Sequence, residues 1–571
     1  MKPNRVVVVI SLILLYAPLV GQDLATIGKE NPFSVSGGVS LNQIFYAVNG
    51  IESRRDPYSY YASGNISFSL YGWSCPLSFS LSNQGVSYQQ PFNQYSLHPT
   101  YKAFTGHAGY ISMSYSPYTV SGHMFLGGAV DVAPSDSKWK FSGLYGRFLK
   151  AVEPDTAQGG GTAAYERMGY GAKASYGSGN NVVDIILFHA EDDVNSVRAI
   201  PDSVGLLPEE NLVMSVAAGK SLGKNFVLRA EIASSALSRD TRSVEASQAH
   251  PLAKTGFLYT SRISSSYYQA YKTSLNYQQD GYVLGVAYER IAPGYRTLGA
   301  YYFNNDLENI TGNGAVALLA GKMNLSINAG VQRDNLDRSK ISTMRRVVSA
   351  VNVGYAPSQK VNLALSYSNF QTYTNIRSQF VDINQVMPYD NLDTLDFTQI
   401  SQNATAMALF MLGKSEQRRQ TLNFNVTFQH AADKQETQQQ HAGTSFYNFN
   451  TAYAVNFVPE NTMLSISFNA IISDNAGTDS KTLGPTAALS RTFFEKKLRT
   501  TLSSSYNETV ANGQRVNTII NGRLNGSVTV QKKHAINLGL VMVNRSSRVE
   551  GAAQAFTEFT GTLGYSYSFG R

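Results

Sequence analysis

The sequence predicts an all-β chain closed into a single large antiparallel barrel, and three observations carry that expectation. Side chains alternate between apolar and polar over one stretch after another, with the period of two that only an extended strand has. In the second half, the connections between successive strands take turns at being short and long. Charged residues are 15% of the 571, against about 25% in soluble domains, yet mean hydropathy is only -0.19. After the N-terminus no apolar run reaches the ~18 residues of a membrane-spanning helix. Alternating strands reconcile low charge with modest hydropathy, because the polar half of each strand cancels the apolar half. A soluble all-β protein is the competing reading, but soluble sandwiches have no need for unequal connections.

The last strand shows the pattern best. Phe559, Gly561, Leu563, Tyr565, Tyr567 and Phe569 fall on one side, and Thr560, Thr562, Gly564, Ser566 and Ser568 on the other. The polar side holds hydroxyls and glycine rather than charges, which suits a wet, uncharged lining behind an apolar outer face. At the other end of the chain, Lys2 and Arg5 precede the apolar run from Val6 to Tyr16, so residues 1–21 read as a secretory signal and 22–571 as one domain. The single cysteine, Cys75, cannot pair within the chain. The net charge of +8 comes without a Lys/Arg run or basic stripe, which excludes nucleic acid as a partner.

Taken in order, residues 33–41 and 58–70 alternate as strands, and a turn at Gly72, Trp73, Ser74, Cys75 and Pro76 returns the chain through Leu77, Phe79 and Leu81. Residues 86–105, polar and aromatic with Pro91 and Pro99, are expected as a loop folded into the lumen. Alternation resumes at Gly109, turns at Ser116 and Pro117, and continues in strands near 120–132, 139–148, 168–176 and 182–190. Residues 191–208 form a long acidic loop. Strand pairs follow at 213–220 with 226–237 and at 268–277 with 282–291, with further strands between 295 and 331.

In the second half, 356–360, 413–417, 458–462, 494–497 and 531–533 are tight. The connections 334–343, 372–403, 431–443, 473–484, 510–514 and 546–554 are polar, and only 510–514 among them is as short as the tight set. Short turns on the periplasmic side and long loops outside are what an outer-membrane barrel shows. Counting back from the C-terminus gives roughly 24 to 26 strands. Parity should be even, and the count turns odd once 33–41 is included, so either that strand lies outside the wall or a strand is missed between 86 and 115. Residues 372–403 are expected to plug or cap the barrel.

The signal segment, the alternating hairpins and the aromatic final strand resemble large bacterial outer-membrane β-barrel proteins. The resemblance is one of architecture, covers nearly all of the mature chain, and implies residence in the outer membrane. It also implies contact with outer-membrane lipid and with the assembly machinery that reads a terminal aromatic, although here Gly570 and Arg571 follow Phe569. TonB-dependent receptors are not matched, since no plug-sized segment precedes the first strand.

A lysine or arginine facing lipid at mid-depth costs about 2–4 kcal/mol, so charges within strands mark the inner face. Arg229 and Glu231 lie opposite Leu228, Ala230 and Ile232, and Arg523 lies opposite Ile520, Leu524 and Val528. Lys173, Lys272, Glu289, Arg346 and Arg499 also avoid the apolar face of their strands. With six cations to two anions, an open lumen would favour anions. Alternatively these groups pair with one another or with loop carboxylates to fill a closed interior.

Catalysis has little support, and no cofactor or metal is expected. His107 and His123 have serines nearby, as an outer-membrane hydrolase would need, but serine is too abundant for proximity to mean much. The run His189, Ala190, Glu191, Asp192, Asp193 offers oxygen ligands but lacks the glycine and terminal glutamate of an EF-hand loop, and a solvated acidic loop is the simpler reading. The leading function is a channel or transport pore, not an enzyme. A barrel that anchors or assembles a secreted surface protein through its outer loops comes second, and a hydrolase last.

Overall fold

The computed structural model describes residues 33–84, 93–153, 163–198, 206–246, 250–339, 345–369, 399–413, 415–433, 444–475, 478–547 and 555–570. In chain order the strands begin with β1 (Phe33–Asn49), β2 (Tyr58–Leu70), β3 (Trp73–Ser82), β4 (Gln94–Leu97), β5 (Thr100–Tyr101), β6 (Phe104–Ser114), β7 (Ser121–Val132) and β8 (Trp139–Leu149). They continue with β9 (Glu166–Ser178), β10 (Asn181–Asp193), β11 (Glu210–Leu222), β12 (Phe226–Ser238), β13 (Ser265–Gln279), β14 (Tyr282–Ile291), β15 (Leu307–Leu318), β16 (Met323–Arg333) and β17 (Arg345–Ser358). The last are β18 (Val361–Ser368), β19 (Gln399–Leu412), β20 (Arg418–Asp433), β21 (Thr444–Phe457), β22 (Thr462–Asn475), β23 (Thr478–Phe493), β24 (Leu498–Ala511), β25 (Gln514–Val530), β26 (His534–Ser547) and β27 (Phe556–Phe569).

Neighbouring strands pair antiparallel throughout, and β27 returns to β1 from Gly37 opposite Phe569 to Asn49 opposite Thr557, which closes the sheet. The strands β4 and β5 both lie between β3 and β6 and share one wall position, so the barrel has 26 positions. This resolves the parity. The strand beginning at Phe33 belongs to the wall, and the missed position is Gln94–Tyr101, within the segment expected as a lumen loop. Pro99 has no N–H for the ladder and divides that strand in two, which hides its alternation.

Other boundaries differ from expectation as well: β1 runs on to Asn49, and the 510–514 connection narrows to a turn at Asn512 and Gly513. β10 runs on to Asp193, three residues into the expected acidic loop. β22 and β23 extend to Asn475 and from Thr478, so most of 473–484 is paired strand, with Asp474 opposite Asp479. Where a hairpin rises beyond the apolar belt both faces meet water, and alternation fades while pairing persists. Near Cys75 the turn is only Tyr71 and Gly72, both at positive φ (46° and 83°), the hairpin geometry that matches strand twist. Cys75 itself sits in β3 opposite Phe68. Of the segment 372–403, only 399–403 lies within the described residues, and it is strand.

One barrel face carries exposed apolar side chains, among them Val183, Ile185, Val216, Ile232, Leu284 and Leu524. With no water side available to such a belt in a closed barrel, this is the lipid face of an outer-membrane protein. Near the short-turn end it carries aromatics: Trp139 and Tyr176 are 4.8 Å apart between ring centres, and Phe226 and Tyr277 4.9 Å. Such a girdle marks the membrane boundary. A sheet with no free edge resists detergent until heated. Unboiled protein should therefore migrate differently from boiled protein on a detergent gel, and equal mobility would contradict closure.

Two connections at the long-loop end turn inward instead of outward. Residues 115–120 and 292–306 meet inside the first half of the barrel, where Tyr118 and Tyr295 pack against Val213, Ala233, Ala270 and Ile291. A second cluster joins Val120 and Leu298 to Phe125, Phe148, Ile186 and Phe188 on the inner faces of β7 to β10. Gly299 allows the close approach: a Cβ there would lie 2.6 Å from the Thr119 carbonyl oxygen and 2.9 Å from the Phe188 ring.

Candidate functional site

The two inward connections are tied to each other by hydrogen bonds. The Tyr295 hydroxyl donates to the Tyr118 carbonyl at 2.9 Å, Thr297 Oγ1 to the Thr119 carbonyl at 2.6 Å, and the Ser121 N–H to the Gly299 carbonyl at 3.0 Å. They are also tied to the wall. The Leu298 N–H donates to Asn211 Oδ1 at 3.1 Å, Ser235 Oγ to the Arg296 carbonyl at 2.7 Å, and the Tyr118 hydroxyl to Glu289 Oε1 at 2.5 Å. Burial is the main cause that drives the Tyr118 and Tyr295 phenols far above their usual range, with nearby carboxylates adding to it, so both stay protonated donors.

A buried ionic network anchors the same structure. Arg167 Nε and Nη2 reach Asp192 Oδ1 at 2.7 Å and Oδ2 at 2.9 Å, and Nη2 also reaches Glu209 Oε2 at 3.0 Å. Glu209 Oε1 accepts from Arg296 Nη1 at 2.6 Å, which links β9 and β10 to the 292–306 connection. Sequence reading missed Arg167 and Glu209, since each looks like an ordinary charge beside a loop. The signal available was an arginine at a strand start with a carboxylate in register on the next strand.

Of the eight charges read as inward-facing, the seven with described side chains fall into two groups. Register places Glu231 opposite Lys272 and Lys272 opposite Glu289, a row of alternating sign on the face against which the inward connections pack. Lys272 Nζ lies 3.6 Å from Glu289, Lys173 Nζ 3.0 Å from Asp184, and Glu231 Oε1 accepts from Ser215 Oγ at 2.7 Å. Arg229 Nη2 donates to Asn180 Oδ1 at 3.2 Å. In this half the lysines are neutralised, with Asp184 the carboxylate that sequence reading overlooked.

Arg499 and Arg523 differ. No carboxylate among the described residues lies within ion-pair distance of either, and Arg499 lines a recess with Thr501, Asn525, Ser527, Asn537 and Thr562. Arg523 stands opposite Ser503 and Val541 on the face away from Leu524. Arg346 is opposite Gln332 in the ladder, and its side chain lies outside the described residues.

The inner face also carries rows of amides, two of them on the arginines' side of the barrel, across β20 to β23 and across β26, β27 and β1, and one across β13 to β16. Asn425, Asn450 and Asn469 are successive cross-strand partners, and Gly484 follows. Asn276, Gly285, Asn313 and Asn328 make a second row, and Asn537, Gly564 and Asn42 a third. Glycine between two asparagines leaves room for the amides: a Cβ on Gly285 would lie 2.1 Å from Asn276 Oδ1 and 2.5 Å from Asn313 Oδ1. Asparagines at alternate positions facing glycines were the legible signal, and sequence reading passed over it.

His107 and His123 show no hydrolase arrangement. His107 Nδ1 meets His98 Nδ1 at 2.7 Å and its Nε2 meets Asp131 at 3.0 Å. His123 stacks on Tyr301 at 4.0 Å and hydrogen-bonds the Met124 carbonyl. Among the described residues no serine hydroxyl bonds either ring.

No protein-family model matches the chain, and neither does any curated protein. Solved structures overlap it in part. Acinetobacter baumannii OccAB4 aligns at 11% identity over 68% of this chain and 97% of its own, with a TM-score of 0.28. A mutant form of the ferric enterobactin receptor PfeA from Pseudomonas aeruginosa aligns at 10% identity over 94% of this chain and 80% of its own, with a TM-score of 0.41. The FrpB iron transporter from Neisseria meningitidis aligns at 10% over 96% and 83%, with a TM-score of 0.36. At such scores the likeness identifies neither a family nor a substrate.

Proposed function

We propose that this outer-membrane barrel is a channel or transport pore, not an enzyme, whose traffic runs through the half of the lumen beside β19 to β27. The observation that carries this reading is the unequal interior. One half is occupied by the 115–120 and 292–306 connections and by paired charges, while the other is lined by amides, hydroxyls and the arginines Arg499 and Arg523 without carboxylate partners among the described residues. A polar face with unneutralised guanidinium groups lowers the barrier for anions relative to cations.

Single-channel recording of the purified protein in a planar bilayer tests the reading. Steady currents with a preference for anions are expected, and Arg523→Glu should move the reversal potential in a salt gradient toward cation selectivity. Silence from folded protein, or silence with a co-purifying surface protein, would instead point to an anchoring barrel. An unchanged reversal potential would remove Arg523 from the conducting path.

A further inference from the structure

On the lipid-side face of the wall, at the long-loop end, three potential metal ligands converge. β10 extends to Asp193, so His189 and Glu191 are not in a solvated loop but alternate with Ala190 and Asp192. Ala190 and Asp192 turn to the inner face, where Asp192 is engaged by Arg167. His189 and Glu191 turn outward, and Glu191 stands directly opposite Glu210 of β11. Like charges in register repel, so this pair calls for a counter-cation. The ligand atoms of His189, Glu191 and Glu210 all lie within 4.8 Å of one another.

A second observation is independent of that clustering. The Glu210 side chain is only 5% exposed, and its Oε2 is buried with no hydrogen-bond partner among the described residues. Its other oxygen accepts from His189 Nε2 at 3.2 Å and from the Thr260 N–H at 3.3 Å. A buried carboxylate oxygen left without a partner is costly, and a bound cation would satisfy it. The site is also held and roofed. The Tyr170 ring stacks on His189 at 4.9 Å. The connection between β12 and β13 packs over the same face, with Leu252 and Tyr259 against Leu212 and Ala236, and the Tyr259 hydroxyl bridges Ser238 and Ser265.

We propose that His189, Glu191 and Glu210 bind one divalent d-block cation of the zinc class, clamping β10 to β11 beneath the connection that follows β12. One imidazole with two carboxylates is a zinc-type ligand set, whereas calcium and magnesium take oxygen alone. With metal–ligand bonds of about 2.0–2.2 Å, tetrahedral ligand atoms stand about 3.4 Å apart, which small side-chain rotations reach from the observed spacing. The ion would replace the His189 to Glu210 hydrogen bond, and His189 would bind through neutral Nε2.

Full-length protein, chelator-stripped in detergent and shown to be folded by its gel mobility, is titrated calorimetrically with zinc chloride and separately with calcium chloride. One zinc per chain is expected, with no calcium binding at the same concentrations. His189→Ala and the exposed-site variant Glu191→Gln should each weaken zinc binding at least tenfold. Zinc should also raise the thermal midpoint of the parent protein and leave that of Glu191→Gln unmoved. Absence of zinc binding, or binding equal in parent and variants, overturns the proposal. Conductance does not enter the measurement, so the result is independent of the channel reading.

Discussion

Replacing Arg167 by alanine is expected to destabilise the folded barrel by about 3–5 kcal/mol, the range for removing one partner of a buried ion pair. The guanidinium holds Asp192 by two bonds and Glu209 by one, with the Arg167 side chain 11% exposed and that of Asp192 3%. Its loss leaves two carboxylates facing each other with little water to screen them. Because Glu209 also grips Arg296, the 292–306 connection should loosen with it, and with it the contact to 115–120. A lower midpoint in denaturant unfolding and a larger single-channel current are the expected readouts. Arg242→Ala supplies the comparison: in its ion pair with Asp240 the side chains are 47% and 25% exposed, and such solvent-exposed pairs contribute roughly 0–1 kcal/mol. Equal effects of the two variants would show that the network anchors nothing.

The second large effect concerns adjacent residues of β25. Leu524 belongs to a row of cross-strand partners, Leu489, Leu502, Leu524, Leu540 and Gly561, on the face that meets lipid. Asn525, one residue on, is opposite Thr501 and Gly539 on the other face. Arginine at position 524 should cost about 2–4 kcal/mol at mid-depth and cut the yield of heat-modifiable protein. Arginine at 525 meets amides, hydroxyls and water, so it should fold nearly as the parent does. Folding yields measured side by side decide the matter, and a tolerated Leu524→Arg beside a damaging Asn525→Arg would invert the two faces.

Local pattern was a good guide wherever a strand crosses the apolar belt. Leu228, Ala230 and Ile232 against Arg229 and Glu231 show why: lipid penalises a charge on one face and water tolerates it on the other, so each residue reports its own side. The pattern failed where that contrast disappears. Gln94–Tyr101 carries few aliphatic residues and is split by Pro99, and the paired residues 473–475 and 478–482 lie beyond the belt, where both faces are wet. The segment from His189 to Asp193 misled for a related reason, since four polar residues in five resemble a loop although the backbone stays paired.

The candidate sites were less legible than the wall. Lys173, Lys272, Arg229 and Arg523 could be assigned to one face from spacing, but whether each has a partner depends on strands and loops brought alongside. Asp184 neutralises Lys173 from the next strand, whereas no described carboxylate does so for Arg523. Alternate asparagines can be seen on single strands, but the rows they form exist only across strands.

What the chain determined by itself is the closed, all-β wall with its two chemically distinct faces and its inequality between turns and loops. These follow from a two-residue repeat read against two solvents, which is a local property. The inward folding of residues 115–120 and 292–306, the anchoring by Arg167, and the meeting of His189, Glu191 and Glu210 were decided only by tertiary structure. Each depends on groups from strands or connections far apart in the chain, and closure of the barrel is what sets the distances between them.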